Sequence, residues 1–128
     1  MAKILLLQSD DQLSATTATY LKLKGHSVAV HKDPQTAVLA ADKLVPDLVI
    51  MDLMLAGRSG AEFLYEIRSY PDWQTLPVIA TGHLSPLQIE PYIDSFSHLG
   101  VAIYLPRQTS SLSKLSQEID KLLRLVPA

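Results

Sequence analysis

A doubly wound α/β domain built on a five-stranded parallel sheet, strand order 2-1-3-4-5, is the fold class this sequence predicts, on three observations. Apolar runs of strand length recur five times; the apolar residues between them fall at helical spacing; and the joints between the two kinds of segment are short. A helix between successive strands makes the strands parallel and covers both faces of the sheet. In the common five-strand order of such folds, ligands sit beyond the carboxyl ends of strands 1 and 3, where the winding direction switches.

The first run is KILLLQ (3–8), nearly unbroken and suited to burial on both sides. Leu13, Thr17, Tyr20 and Leu21 then make a helical stripe, with Gly25 at the position of a C-cap before the second strand, SVAVH (27–31). Asp33 followed by Pro34 reads as an N-cap with proline in the first helical position, and Ala37, Ala40, Ala41 and Leu44 form the next stripe. DLVIMD (47–52) is the third strand. Ser59 with Glu62 fits a capping box ahead of the stripe Phe63, Leu64 and Ile67. PVIAT (77–81) is the fourth strand, and Ser85, Pro86 and Gln88 open a helix that Pro91 should bend or shorten. Gly100 precedes the fifth strand, VAIYL (101–105). The last stripe is Leu112, Leu115, Ile119, Leu122 and Leu123.

The 128 residues fit one domain, 1–128, with a substantial core, since 48% are hydrophobic and 19% charged. A net charge of -2 gives no basic footprint for direct nucleic-acid or anionic-membrane binding. The apolar runs fall well short of the ~20 residues that span a bilayer, and ILLL is too short for a secretory signal, so a cytoplasmic location is expected. With no cysteine there are no disulfides or thiolate sites, and His26, His31, His83 and His98 are scattered without ligand spacing.

One residue breaks the pattern. Asp52 follows Leu48, Val49, Ile50 and Met51 directly, a poor place for a carboxylate in a core and a good one for a site at the switch point. Asp10, Asp11, Thr81 and Arg107 are expected at the same rim, which would supply acid, hydroxyl and cation to a site open to an incoming anion. A flavin or nucleotide site would want a glycine-rich phosphate loop after strand 1, where this chain has SDDQLSATTAT. The pair Gly57 and Gly60 in AGRSG matches no dinucleotide fingerprint and reads as a turn, and no G-x-S-x-G elbow supports a hydrolase. There remains a carboxylate that itself accepts a phosphoryl group, offset by cations and a hydroxyl.

The blocks KILLLQSDDQL, GHSV, PDLVIMDLMLAGRSGAEFLYEIR, PVIAT and GVAIYLPRQ, in order and over nearly the whole chain, resemble response-regulator receiver domains of the CheY-like, flavodoxin-like fold. The resemblance implies that Asp52 is the phosphoacceptor of a two-component phosphorelay. It makes the Met54 carbonyl a ligand of Mg²⁺ beside Asp52, and Tyr104 the aromatic switch on strand 5. It also implies a histidine kinase or phosphotransfer protein as donor, and a downstream protein on the face of the fourth helix, fifth strand and last helix. Homodimers through the last helix are compatible with it, and the domain is a signalling element and not an enzyme.

The chain departs from the family pattern at several positions. Gln8 and Ser9 stand where receivers usually carry two adjacent acids, which makes the acidic pair degenerate; Asp10 is a further metal candidate only if the alignment shifts. Mg²⁺ is therefore expected to bind weakly or not at all. Arg107 replaces the usual lysine, Gln108 the proline after it, and Arg107 is expected to pair with Asp52 directly. Counting from Pro77 puts the family's hydroxyl at Gly82, with Thr81 one residue early, able to serve as phosphate contact if strand 4 ends in a bulge. Two readings follow: a phosphorylated receiver, or a pseudo-receiver that binds proteins without phosphorylation.

Overall fold

Successive side chains of a strand point to opposite faces, so a run such as Ile4, Leu5, Leu6 and Leu7 needs cover on both sides. The computed structural model, which describes residues 2–55, 58–59, 61–107 and 109–124, provides it. Five parallel strands, β1 (Lys3–Leu7), β2 (Ser27–His31), β3 (Leu48–Asp52), β4 (Val78–Gly82) and β5 (Val101–Pro106), lie in the order β2-β1-β3-β4-β5. This is the predicted 2-1-3-4-5 arrangement. β3, central in the sheet, is buried along its whole length.

The helices are α1 (Asp11–Leu23), α2 (Pro34–Lys43), α3 (Ala61–Arg68), α4 (Pro86–Ile89), α5 (Ile93–His98) and α6 (Leu112–Arg124). On one face of the sheet, Leu5, Leu7, Val49, Met51 and Ala80 pack with Phe63, Leu64 and Ile67 of α3 and with α2 and α4. On the other, Ile4, Leu6, Ile50 and Ile79 pack with Ala18 and Leu21 of α1 and Leu115 and Ile119 of α6. Full burial of a side chain such as Phe63 or Ile67 contributes roughly 1.5–3 kcal/mol.

The local signals act as their chemistry requires. Asp33 caps α2 by accepting the Thr36 amide at 2.9 Å, with Pro34 next. Ser85 and Gln88 form a complete capping box on α4. Pro91 shortens the fourth helix as expected: without an N–H it cannot continue the ladder, and a 3₁₀ turn, Glu90–Tyr92, separates α4 from α5. Gly25 and Gly100 have φ of 96° and 76°, the left-handed values that end α1 and α5. Leu44, placed by sequence on the buried stripe of α2, is instead 62% exposed because it lies beyond the helix end in extended backbone. The expected Ser59–Glu62 box, Gly57, Gly60 and Gln108 lie outside the described residues or side chains. Among the described residues no helix is long and apolar enough to cross a membrane.

Candidate functional site

Strand alternation selects the site. Ile4 and Leu6 face the α1/α6 side, and Gln8 extends the same parity past β1, where its amide still bonds the His31 carbonyl at 3.0 Å. Leu48 and Ile50 put Asp52 on that side; Ile79 does so for Thr81, and Ile103 and Leu105 for Arg107, whose amide bonds the Gly82 carbonyl at 3.0 Å. Gln8, Asp52, Thr81 and Arg107 therefore share one face at the carboxyl rim. Asp52 and Thr81 are direct register partners.

The Asp52 carboxylate is 3% exposed and both its oxygens are engaged. Oδ2 accepts a hydrogen bond from Arg107 Nη1 at 2.8 Å, and Oδ1 accepts the Met54 amide at 3.1 Å. The direct pairing expected from the lysine-to-arginine change is present. The openness expected of the site is not: the Arg107 side chain, itself 18% exposed, covers the outer oxygen. A buried carboxylate needs a charged partner, and in a pocket short of acids the arginine supplies it.

Asp10 and Asp11 do not join this group, in contrast to the rim position expected of them. Asp10 is exposed and caps α1, its Oδ1 accepting the Leu13 amide at 2.9 Å, while Asp11 pairs with Lys32 at 2.6 Å in solvent. Both serve the start of the helix that the register of KILLL hands to them. Gln8 is buried, 4% exposed, and its Oε1 accepts the Asp10 amide at 3.0 Å; Ser9 is half-buried. A hard cation at Asp52 would meet two uncharged side chains where more acids would be needed, and a guanidinium already on the carboxylate. Among the described residues no group of three or more His, Cys, Asp or Glu could hold a metal. The residues present do not fit a tightly held divalent ion.

Thr81 reaches the Asp52 face without a bulge in β4. The irregularity lies in β5, where Val101 and Ile103 oppose the consecutive Val78 and Ile79. The Thr81 hydroxyl makes a long hydrogen bond, 3.5 Å, to the Met51 carbonyl. Gly82 faces the opposite side, under Tyr104. A β-carbon at Gly82 would lie 2.9 Å from the Tyr104 hydroxyl, which donates to the Leu84 carbonyl at 2.8 Å. Burial raises the Tyr104 pKa. Sequence reading identified both residues and missed their contact; a glycine at the strand end, one residue after a threonine and across from an aromatic on the neighbouring strand, was the available signal.

Residues 4–111 match the family described as Response regulator receiver domain, and the chain belongs to that family. Over 124 residues it is 32% identical to the transcriptional activator protein PfeR of Pseudomonas aeruginosa, covering 97% of this chain and 38% of PfeR. The chain thus spans well under half of that relative. The BeF3-activated N-terminal receiver domain of Klebsiella pneumoniae RstA has a similar structure, with a TM-score of 0.81 at 25% identity, covering 95% of this chain and 98% of that one. The Mn(2+)-bound form of the response regulator Rcp1 gives 0.77 at 25% identity over the whole of both chains. Receiver domains are signalling domains of two-component systems and as a class are not enzymes.

Proposed function

We propose that residues 1–128 form one receiver domain in which Asp52 accepts a phosphoryl group from a histidine kinase or phosphotransfer protein. One observation carries the reading: a carboxylate at the rim of the central strand, held by a cation at 2.8 Å and adjacent to a hydroxyl residue in register. In the transfer, an Asp52 oxygen forms a bond to phosphorus while the donor's bond to phosphorus breaks, its electron pair leaving with the donor. Arg107 first leaves the carboxylate and then pairs with the phosphoryl oxygens, where its planar fork holds two of them. Thr81 is the second contact. The Mn(2+) of Rcp1 suggests a cation site in relatives; here Arg107 takes most of that charge, and Mg²⁺ is at most weakly bound.

The output face is that of α4 and α5, β5 and α6. Leu87, Tyr92 and Ile93 are exposed there, 79%, 53% and 47%, a concentration of apolar surface that supports docking of a downstream protein. Tyr104, packed on Gly82 and tied to Leu84, links the rim to that face.

Incubation of the chain with a small acyl phosphate, with Mg²⁺ and separately with chelator, followed by intact-mass measurement, tests the reading. The wild type should gain one phosphoryl group and Asp52→Asn none. Lack of an adduct in both wild-type arms would overturn it in favour of a binding module that works without phosphorylation.

A further inference from the structure

The two edges of the sheet are built differently. β5 ends in Pro106, and its pairing with β4 is broken by a register shift. A proline and a bulge are common means of keeping an edge strand from pairing with another chain. β2, at the other edge, has neither: its register with β1 is unbroken over Ser27–His31, and HSVAVH (26–31) contains no proline, lysine or acid. Ser27, Ala29 and Val30 are exposed.

The ladder between β1 and β2 fixes which backbone groups that edge presents. Ser27 donates its N–H to the Ala2 carbonyl at 2.9 Å, and the His31 carbonyl accepts the Gln8 amide at 3.0 Å. In a parallel ladder every second residue of a strand bonds a given neighbour. Ser27, Ala29 and His31 therefore bond β1, and Val28 and Val30 direct their N–H and C=O outward, where nothing among the described residues bonds them. The complement of such a row of donors and acceptors is another extended strand. Apolar surface borders it. Val30 is 38% exposed, and Leu23, Leu44 and Val45, at or just beyond the ends of α1 and α2, are 83%, 62% and 51% exposed. On the α2 side a groove of about 330 Å³, lined by Ala29, Ala40, Ala41, Leu44 and Pro46, opens beside the strand.

We propose that β2 pairs antiparallel with β2 of a second copy of this chain, about a two-fold axis at Ala29, joining two sheets into one. In that register Val28 of each chain exchanges N–H···O bonds with Val30 of the other, so every outward group of the strand is satisfied. Lys32 falls opposite His26 of the second copy, and His26 is uncharged, since its Nδ1 accepts the Ala2 amide at 3.3 Å. No like charges are opposed, and the strand is its own complement, which favours a second copy over an unrelated strand. A two-fold contact uses up the edge and closes the assembly at a dimer. The pairing goes beyond phosphoryl transfer and involves neither Asp52 nor the face of α4 and α5.

Sedimentation velocity of the unphosphorylated full chain from about 10 µM to about 1 mM, with amide hydrogen exchange over the same range, forms the test. A monomer–dimer equilibrium with a dissociation constant on the order of 100 µM is expected from so small an interface. The Val28 and Val30 amides should then exchange about fourfold more slowly at the upper concentration than at the lower. Ala29→Lys, at an exposed position on the axis, sets two like charges against each other and should weaken association about tenfold. Val30→Pro removes an outward N–H without touching the ladder to β1 and should abolish association; should it fail to fold, Ala29→Lys decides the case. A chain still monomeric at about 1 mM, a dimer that Ala29→Lys leaves at wild-type strength, or Val28 and Val30 amides whose exchange ignores concentration would each overturn the assignment. The mass measurement on Asp52 is unaffected by any of these outcomes, so the two proposals fail separately.

Discussion

Asp52 and Arg107 are coupled through burial. The aspartate is 3% exposed and the arginine side chain 18%, so each would be left a poorly solvated charge if its partner were removed. Arg107→Met is therefore expected to destabilise the fold by about 2–4 kcal/mol in urea unfolding, and Asp52→Asn by about 1–3 kcal/mol. The double variant should cost less than the sum of the two, with a coupling energy of at least about 1 kcal/mol. Additive losses would show that the pair seen at 2.8 Å contributes little in solution. The same pairing explains why an isolated carboxylate persists in a pocket that has lost its acidic neighbours.

Between elements, the least expected feature is Arg68 at the end of α3. Its Nε donates to the Leu99 carbonyl at 2.8 Å, Nη1 to Trp73 at 2.6 Å, and Nη2 to Leu76 at 2.8 Å and Gly100 at 3.2 Å. One guanidinium thus ties α3 to the loop before β4 and to the turn before β5, and burial lowers its pKa. Gly100 takes part through its lack of a side chain, since a β-carbon there would lie 2.8 Å from Nη2. Arg68→Met, which keeps the apolar stem, should leave these carbonyls without their donor and cost about 2–4 kcal/mol by chemical denaturation. Arg68→Lys, with a point charge in place of the fork, should recover only part of this. The periodicity of α3 showed its buried stripe but gave no hint of Arg68, because its partners come from segments 5 to 32 residues away.

At the scale of the whole molecule, pH acts on global stability through α6. Glu118 is almost buried and sits between Lys114 at 2.9 Å and Lys121 at 3.5 Å. The hydrogen bond from Lys114 leads the effects that hold its pKa below the usual 4.5, against the opposing influence of burial. A carboxyl whose pKa is lower in the folded state stabilises the fold above its unfolded pKa, and that contribution is lost as pH falls through the folded value. Unfolding free energy should therefore decline below about pH 4.5, and Glu118→Gln should make the decline shallower. An unchanged acid limb in that variant would assign the loss to other carboxyls.

Run length, the change of apolar spacing, and the capping residues at Asp33, Ser85, Gly25 and Gly100 carried the element order and the parallel sheet, because these are local signals that burial on two faces reinforces. Asp52 was legible for the opposite reason, as a charge where local pattern asks for an apolar residue. The tertiary structure decided what each polar residue does once the strands are in register. It put Arg107 on Asp52 across 55 residues of sequence, turned Asp10 to a helix cap, set Thr81 on the Asp52 face and laid Tyr104 over Gly82. Hydrogen bonds and ion pairs are fixed over a few ångströms by which strands become neighbours, and spacing along a single chain does not encode that proximity.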